Sequence, residues 1–252
     1  MGRVIVVSNR KGGTGKTTSS VNISAGLSIL KGKRVLLVDI DPQASSTVWL
    51  NSSPLTPSQS IFGVLMGDTK IENVIYKTGI DDLYICPSHT FLSKVEPVLF
   101  FKRNGEFIFK GLIDRIRDKF DYIIIDPPPS VGILTLSALI SADEIIIPVK
   151  YDFLSIDATT TFLSVLAKVI DKRNKNLKID GVFFTFVNPD KFSPDDVYFG
   201  GMNVRKFKSF ISFDEKLVES AKKTLPIFLS FPDSISARNY LSLIEEIEAL
   251  EV

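Results

Sequence analysis

The stretch with the most chemistry in it is Arg10-Lys11-Gly12-Gly13-Thr14-Gly15-Lys16-Thr17-Thr18, directly after the apolar run Val4-Ile5-Val6-Val7. A glycine-rich segment between an apolar strand and a helix turns backbone N–H groups toward a phosphate. The helix N-terminus adds about half a positive charge. In this reading Gly12, Gly13, Thr14, Gly15 and Thr18 line the cradle, Lys16 reaches the β- and γ-phosphates, and the Thr17 hydroxyl ligates magnesium. The common spacing G-x-x-x-x-G-K-[ST] fails at its first glycine, where Arg10 stands, and a second lysine, Lys11, precedes the glycines.

Carboxylates follow at the ends of two more apolar runs. One ends Val38-Asp39-Ile40-Asp41-Pro42-Gln43. Alternation puts Asp39 and Asp41 on the same side of an extended chain. Two carboxylates beside a triphosphate hold magnesium or position a water, and an Asx turn capping the strand is the other use of such a residue. The second run ends Ile125-Asp126-Pro127-Pro128-Pro129-Ser130. An apolar strand ending in Asp, in register after a phosphate loop, places a carboxylate in the magnesium shell. The prolines stiffen the loop that follows. Thr17, Asp41 and Asp126 are thus the metal candidates.

These residues need a scaffold that gathers strand ends. Strands are expected at Arg3–Val7, 34–39, Leu83–Cys86, Tyr122–Asp126, 144–149 and 181–187, with a possible last strand at 227–231. Helices are expected over 16–30, 158–172 and 241–250. The strands are apolar without alternation, the pattern of strands buried on both faces. The rhythm predicts one α/β domain over 1–252, a doubly wound, mostly parallel sheet with ligands at the carboxyl ends of its strands. The stretch 191–208, with Pro194, Gly200 and Gly201, reads as a surface insertion.

Composition narrows the classes. Hydrophobic residues make up 44% of the 252 and charged residues 23%, enough for a real core. The formal charge of +1 gives no overall basic field. One cysteine, Cys86, and one histidine, His89, exclude a disulfide framework, a four-cysteine cluster and a histidine metal site within one chain. No export signal is visible, and no stretch is read as reaching the ~18–20 apolar residues of a membrane span. The expectation is a cytoplasmic protein.

The form KGGxGK[ST][ST] resembles the deviant Walker A motif of the ParA/Soj ATPases. So do D-x-D-P-Q at 39–43, D-P-P-P-S at 126–130 (similar to the second switch of that family), and Ile147-Pro148-Val149 ahead of Tyr151 and Asp152. The resemblance runs from Met1 to about Arg238 and is loose over the last part. It implies a P-loop ATPase that uses ATP and Mg2+. In such proteins Lys11 crosses a homodimer interface to the partner's nucleotide, and Asp41 orients the attacking water. With Lys16 these form the catalytic set. Asn188 and Pro232 stand where the family contacts adenine. The resemblance further implies a sandwich dimer in the ATP state, sequence-independent binding to duplex DNA, a ParB-type partner that triggers hydrolysis, and association with the nucleoid.

For DNA, residues 168–223 hold 12 Lys/Arg against 8 Asp/Glu, a local net of +4. The candidates are Lys172, Arg173, Lys175, Lys178, Arg205, Lys206, Lys208, Lys222, Lys223 and Arg238, with Arg238 first because the family has a DNA-contacting arginine there. Residues 241–252 carry four glutamates and no Lys or Arg, so anionic lipid would repel them. Apolar positions 243, 244, 247 and 250 predict a helix docked on the core. The rival reading is a ParA-like ATPase that positions a protein cargo without touching DNA.

Overall fold

The structure, a computed structural model, describes residues 1–50 and 56–251. Seven strands form one sheet: β1 (Arg3–Val7), β2 (Val35–Asp39), β3 (Tyr76–Lys77), β4 (Leu83–Cys86), β5 (Tyr122–Asp126), β6 (Glu144–Lys150) and β7 (Lys178–Thr185). Their order is β3-β4-β2-β5-β1-β6-β7, parallel throughout except for the short β3, which runs against β4.

Among the described residues ten α-helices accompany the sheet, the last three after β7: α1 (Lys16–Lys31), α2 (Ser45–Leu50), α3 (Ile61–Met66), α4 (Val95–Phe101), α5 (Ile108–Ile116), α6 (Ile133–Ser141), α7 (Phe153–Lys172), α8 (Glu215–Lys222), α9 (Ile227–Ser230) and α10 (Ile235–Glu248). The uninterrupted apolar strands have a simple cause. Ile5, Val7, Leu37, Ile124 and Ile146 pack under α1, α9 and α10, while Val4, Val6, Val38, Ile125 and Ile145 pack under α3 to α7. All ten are fully buried. Each such side chain contributes roughly 1.5–3 kcal/mol over its exposed state, so a polar residue on either face would be costly.

The order also creates the site. From β1 the chain crosses through α1 to β2, two places away, and β5 fills the gap. From β5 it crosses β1 to β6 on the other side. The carboxyl ends of β1, β2 and β5 therefore meet where the winding reverses, with Asp39 and Asp126 as register partners.

Several expectations change. Residues 227–231 form no strand: Ile227–Ser230 is a helical turn after Pro226, and the Ile227 N–H donates to Asn22 Oδ1 at 2.8 Å. Four apolar residues in a row fit a buried strand or a buried turn equally, and packing on α1 decides for the turn. The stretch 191–208 is no plain surface insertion, because Val197, Phe199 and Phe207 are buried and Lys206 bridges to Val182. β7 starts three residues early and ends before Phe186. Helix α7, with a mean hydropathy of 1.5, is long and apolar enough to cross a membrane by length and composition, contrary to the sequence reading. Here Phe162 and Leu166 pack in the core and the helix joins two neighbouring parallel strands.

Candidate active site

The loop from Ser8 to Gly15 is hydrogen-bonded to three other elements, β6, α7 and β7. Asn9 Nδ2 donates to Pro148 O at 2.8 Å and Thr159 Oγ1 at 2.9 Å, and its Oδ1 accepts from Lys11 N. Thr185 Oγ1 donates to Thr14 O at 3.0 Å. Gly13 (φ 73°) and Gly15 (φ 85°) take left-handed conformations that only glycine adopts without strain. Gly15 is the N-cap of α1, so the first turn of that helix opens toward the loop. A β-carbon at Gly12 or Gly13 would meet nothing within 4 Å, which leaves the backbone accessible to a ligand.

Lys16 is 7% exposed, and its Nζ donates to Lys11 O at 3.1 Å. Burial pulls this ammonium below the usual lysine value, opposed by the carboxylates of Asp126 and Asp41. A cation held dry beside a nest of N–H groups is a strong phosphate partner.

The acids divide their work. Asp126 is buried, and Ser20 Oγ (3.1 Å), Ser46 Oγ (2.6 Å) and the Thr17 hydroxyl donate to it. Burial pushes its carboxyl above the usual range, and those hydroxyls pull it back. Asp39 is also fully buried, but its oxygens accept from Asp41 N and from the N–H and hydroxyl of Thr47 at 2.8 Å. Through these bonds it braces the turn after β2. Burial first, and Asp126 second, push its carboxyl upward. Asp41 Oδ1 accepts from Gln43 N at 2.9 Å, an Asx turn that aims the carboxylate beside Lys16. Ser20, Ser46 and Thr47 were missed by the sequence reading. The only signal for the last two was the small polar run just after Asp41-Pro42-Gln43.

A mainly apolar pocket of about 240 Å³ opens beside Gly15 and Thr18. Its walls include Trp49, Phe186, Phe213 and Tyr240. The Ser212 hydroxyl, also in the wall, is buried and has no hydrogen-bond partner. Trp49 Nε1 donates to Leu225 O at 3.0 Å, tying α2 to the connection between α8 and α9. Asn188 and Pro232 do not line this pocket. Asn188 is exposed, with its Oδ1 accepting from Asp190 N, and Pro232 is exposed in the turn before α10.

The basic candidates separate into groups. Lys172, Arg173, Lys175 and Lys178 lie between the end of α7 and the start of β7, at the amino edge of the sheet and away from the phosphate loop. Arg173 approaches Glu106 at 3.6 Å. Arg205, Lys206 and Lys208 run beside β7, where Lys206 Nζ donates to Pro194 O. Lys222, Lys223 and Arg238 belong to the end that holds Ser19, which meets Tyr240 at 3.0 Å. Lys223 pairs with Glu219, and Arg238 Nη1 donates to Asp233 O.

A family model described as an AAA domain matches residues 2–179. Soj from Bacillus subtilis, a sporulation initiation inhibitor protein, is 33% identical over 261 residues, covering 99% of each chain. The chromosome-partitioning ATPase Soj of Treponema pallidum is 34% identical, covering 99% of this chain and 98% of its own. The chain belongs to the Soj/ParA family of ATPases. Among solved structures, the cell division ATPase MinD of Pyrococcus furiosus superposes with a TM-score of 0.83 at 28% identity, over 99% of this chain and 100% of MinD. Cobyrinic acid a,c-diamide synthase of Mycobacterium smegmatis, solved with an ATP analogue and magnesium, gives 0.84 at 28%, over 97% and 93%. As a Soj/ParA ATPase the chain hydrolyses ATP and uses Mg2+. The donor set fits: the Thr17 hydroxyl and the Asp126 carboxylate stand together beside Lys16, and a hard cation takes its remaining oxygens from phosphate and water.

Proposed function

We propose that this ATPase is a DNA-partition switch, closing into a sandwich dimer on Mg-ATP and binding duplex DNA in that state without reading its sequence. The observation that carries the dimer is the face around Lys11. A cleft lined by Lys11, Gly12, Gly13, Lys150 and Asp152 continues into Phe153 and Leu154, which are 80% and 63% exposed. Apolar side chains left open beside a phosphate loop are apt for burial against a second copy, and the position of Lys11 at that rim supports a reach to the partner's nucleotide.

Within each copy Lys16 and the loop N–H groups grip the β- and γ-phosphates, and Thr17 and Asp126 hold magnesium. Magnesium, when bound, neutralises charge on the phosphate oxygens. Asp41, fixed by Gln43 N, orients the attacking water more than it removes a proton. The pocket walled by Phe186 and Phe213 takes the base, with Asn188 and Pro232 left outside it. A ParB-type partner accelerates hydrolysis and releases the DNA.

Positioning of a protein cargo is the second reading, and the scatter of the basic residues into separate groups favours it. Binding to non-specific duplex DNA, with ATP and with ADP across a salt series, separates the two. The partition reading expects binding that needs ATP and weakens steeply with salt. Dimers that form on ATP and ignore DNA would replace it with the cargo reading.

A further inference from the structure

The turn that carries Asp41 is held more firmly than the end of a strand requires. A turn of this kind closes with one backbone bond, and Ala44 N supplies it, donating to Asp41 O at 2.8 Å. A second donor reaches the same carbonyl from beyond the neighbouring strand β4: Ser88 Oγ, at 2.7 Å. On the other side, Asp41 N donates to Asp39 Oδ1 at 3.0 Å. Both peptide groups of Asp41 are thus tied to side chains, and Gln43 N donates to Oδ1 of its carboxylate. These bonds leave Oδ2 for a water.

The two side-chain ties form one unit, because Thr47 joins them. Its hydroxyl donates to Asp39 Oδ2 and accepts from Ser88 N, both at 2.8 Å. A hydroxyl whose proton and lone pair are both engaged has a fixed rotor. Ser88, Thr47 and Asp39 are all buried, so water offers none of them a substitute partner. Ala44 itself sits at φ 53°. A non-glycine residue in that conformation is strained and persists where its surroundings over-determine it.

We propose that Thr47 and Ser88 are positioning residues for ATP hydrolysis, a buried pair of hydroxyls that fixes the Asp41 turn so that its carboxylate meets the attacking water in the productive orientation. The proposal rests on the reading of Asp41 as the group that orients the water. A misplacement of about 1 Å at such a group costs about 100-fold in rate. The phosphate loop draws its own hydrogen bonds from β6, α7 and β7, so loss of either hydroxyl leaves those in place.

The test is steady-state phosphate release from Mg-ATP by the full chain, with ADP affinity measured alongside. Thr47→Val removes one hydroxyl at nearly constant volume, and Ser88→Ala removes the other. Each should lower kcat about tenfold or more, with KM and ADP affinity within about twofold of the parent. Thr47→Ser keeps the hydroxyl and should return kcat to within about threefold of the parent. In an Asp41→Ala background, Ser88→Ala should change turnover by less than about twofold, because the residue it positions is gone. An undiminished loss in that background would show that Ser88 supports packing and does not act through Asp41, and would overturn the proposal. So would ADP affinity lost in step with kcat. A slow Asp41→Ala beside a parent-rate Ser88→Ala would remove the brace alone, whereas a parent-rate Asp41→Ala would remove the water reading and the brace with it. Should Thr47→Val fail to fold, Ser88→Ala and its cycle with Asp41→Ala decide.

Discussion

At the scale of single residues, Lys16 and Asp41 sit beside each other and do separable things. Lys16 is a buried cation opposite the carboxylates of Asp126 and Asp41. Lys16→Ala is expected to weaken ATP binding by about 2–5 kcal/mol, read by calorimetric titration. Asp41 is held by a backbone N–H, and in the proposed mechanism it serves the water and not the phosphate. Asp41→Ala should bind ATP with near-parent affinity and lose about 100-fold or more in phosphate release; parent-rate turnover would remove Asp41 from the water. The phosphate loop was readable in the chain because glycines and lysines at fixed offsets have few other uses. The division between Asp39 and Asp41 was not, because it depends on where β2 stops and on Thr47, eight residues on. Ser20 and Ser46 escaped for the same reason: a hydroxyl gains its role only from the carboxylate that the fold brings to it.

At the scale of elements, α1 is the joint. Gly26 lies in its middle, where a β-carbon would stand 2.3 Å from Ile244 Cδ1 and 2.7 Å from Phe228 Cε2. Glycine there costs about 0.5–1 kcal/mol in helix stability relative to alanine, and the close approach of α9 and α10 is what it permits. Gly26→Leu should lower unfolding stability by about 1–3 kcal/mol, seen as a shift of the denaturant midpoint, and an unchanged midpoint would mean the three helices are loosely packed. The closing helix was legible from its apolar spacing, and Leu243, Ile244 and Ile247 are indeed fully buried. Its glutamates proved to be anchors: Glu246 accepts from Lys208 N and Ser209 N, and Glu248 meets Lys31 at 3.3 Å. The helical turn at 227–230 was not legible, since a run that short has no period.

At the scale of the whole molecule, the two edges of the sheet have different electrostatics. Phosphate chemistry occupies the carboxyl edge. At the amino edge, Arg3 lies beside Glu144 and 3.8 Å from Asp180. Burial and the Glu144 carboxylate push Asp180 up to about 7, against Arg3 and Lys178. A folded-state value raised above 3.8 means the native chain holds that proton more tightly than the unfolded chain. Its contribution is therefore full at low pH and declines as pH rises toward 7. Asp180→Asn, which mimics the protonated form, should show a Tm that gains on the parent steadily across that window. A difference that stays level or shrinks would show that Asp180 titrates normally. The mostly parallel sheet and the gathering of motifs at its strand ends were legible from apolar runs and motif positions, whereas the strand order was not. The walls of the pocket beside Gly15 were not, because Trp49, Phe186, Phe213 and Tyr240 are far apart in the chain and only the fold brings them together.

Trp49 is the only tryptophan in the chain, and its indole spans the joint between the helix that follows Asp41 and the carbonyl of Leu225. The protein therefore carries its own optical probe. Intrinsic emission excited at the indole band reports one place, the wall between the pocket beside Gly15 and the turn that holds Asp41, with no label and no second fluorophore of its kind to disentangle.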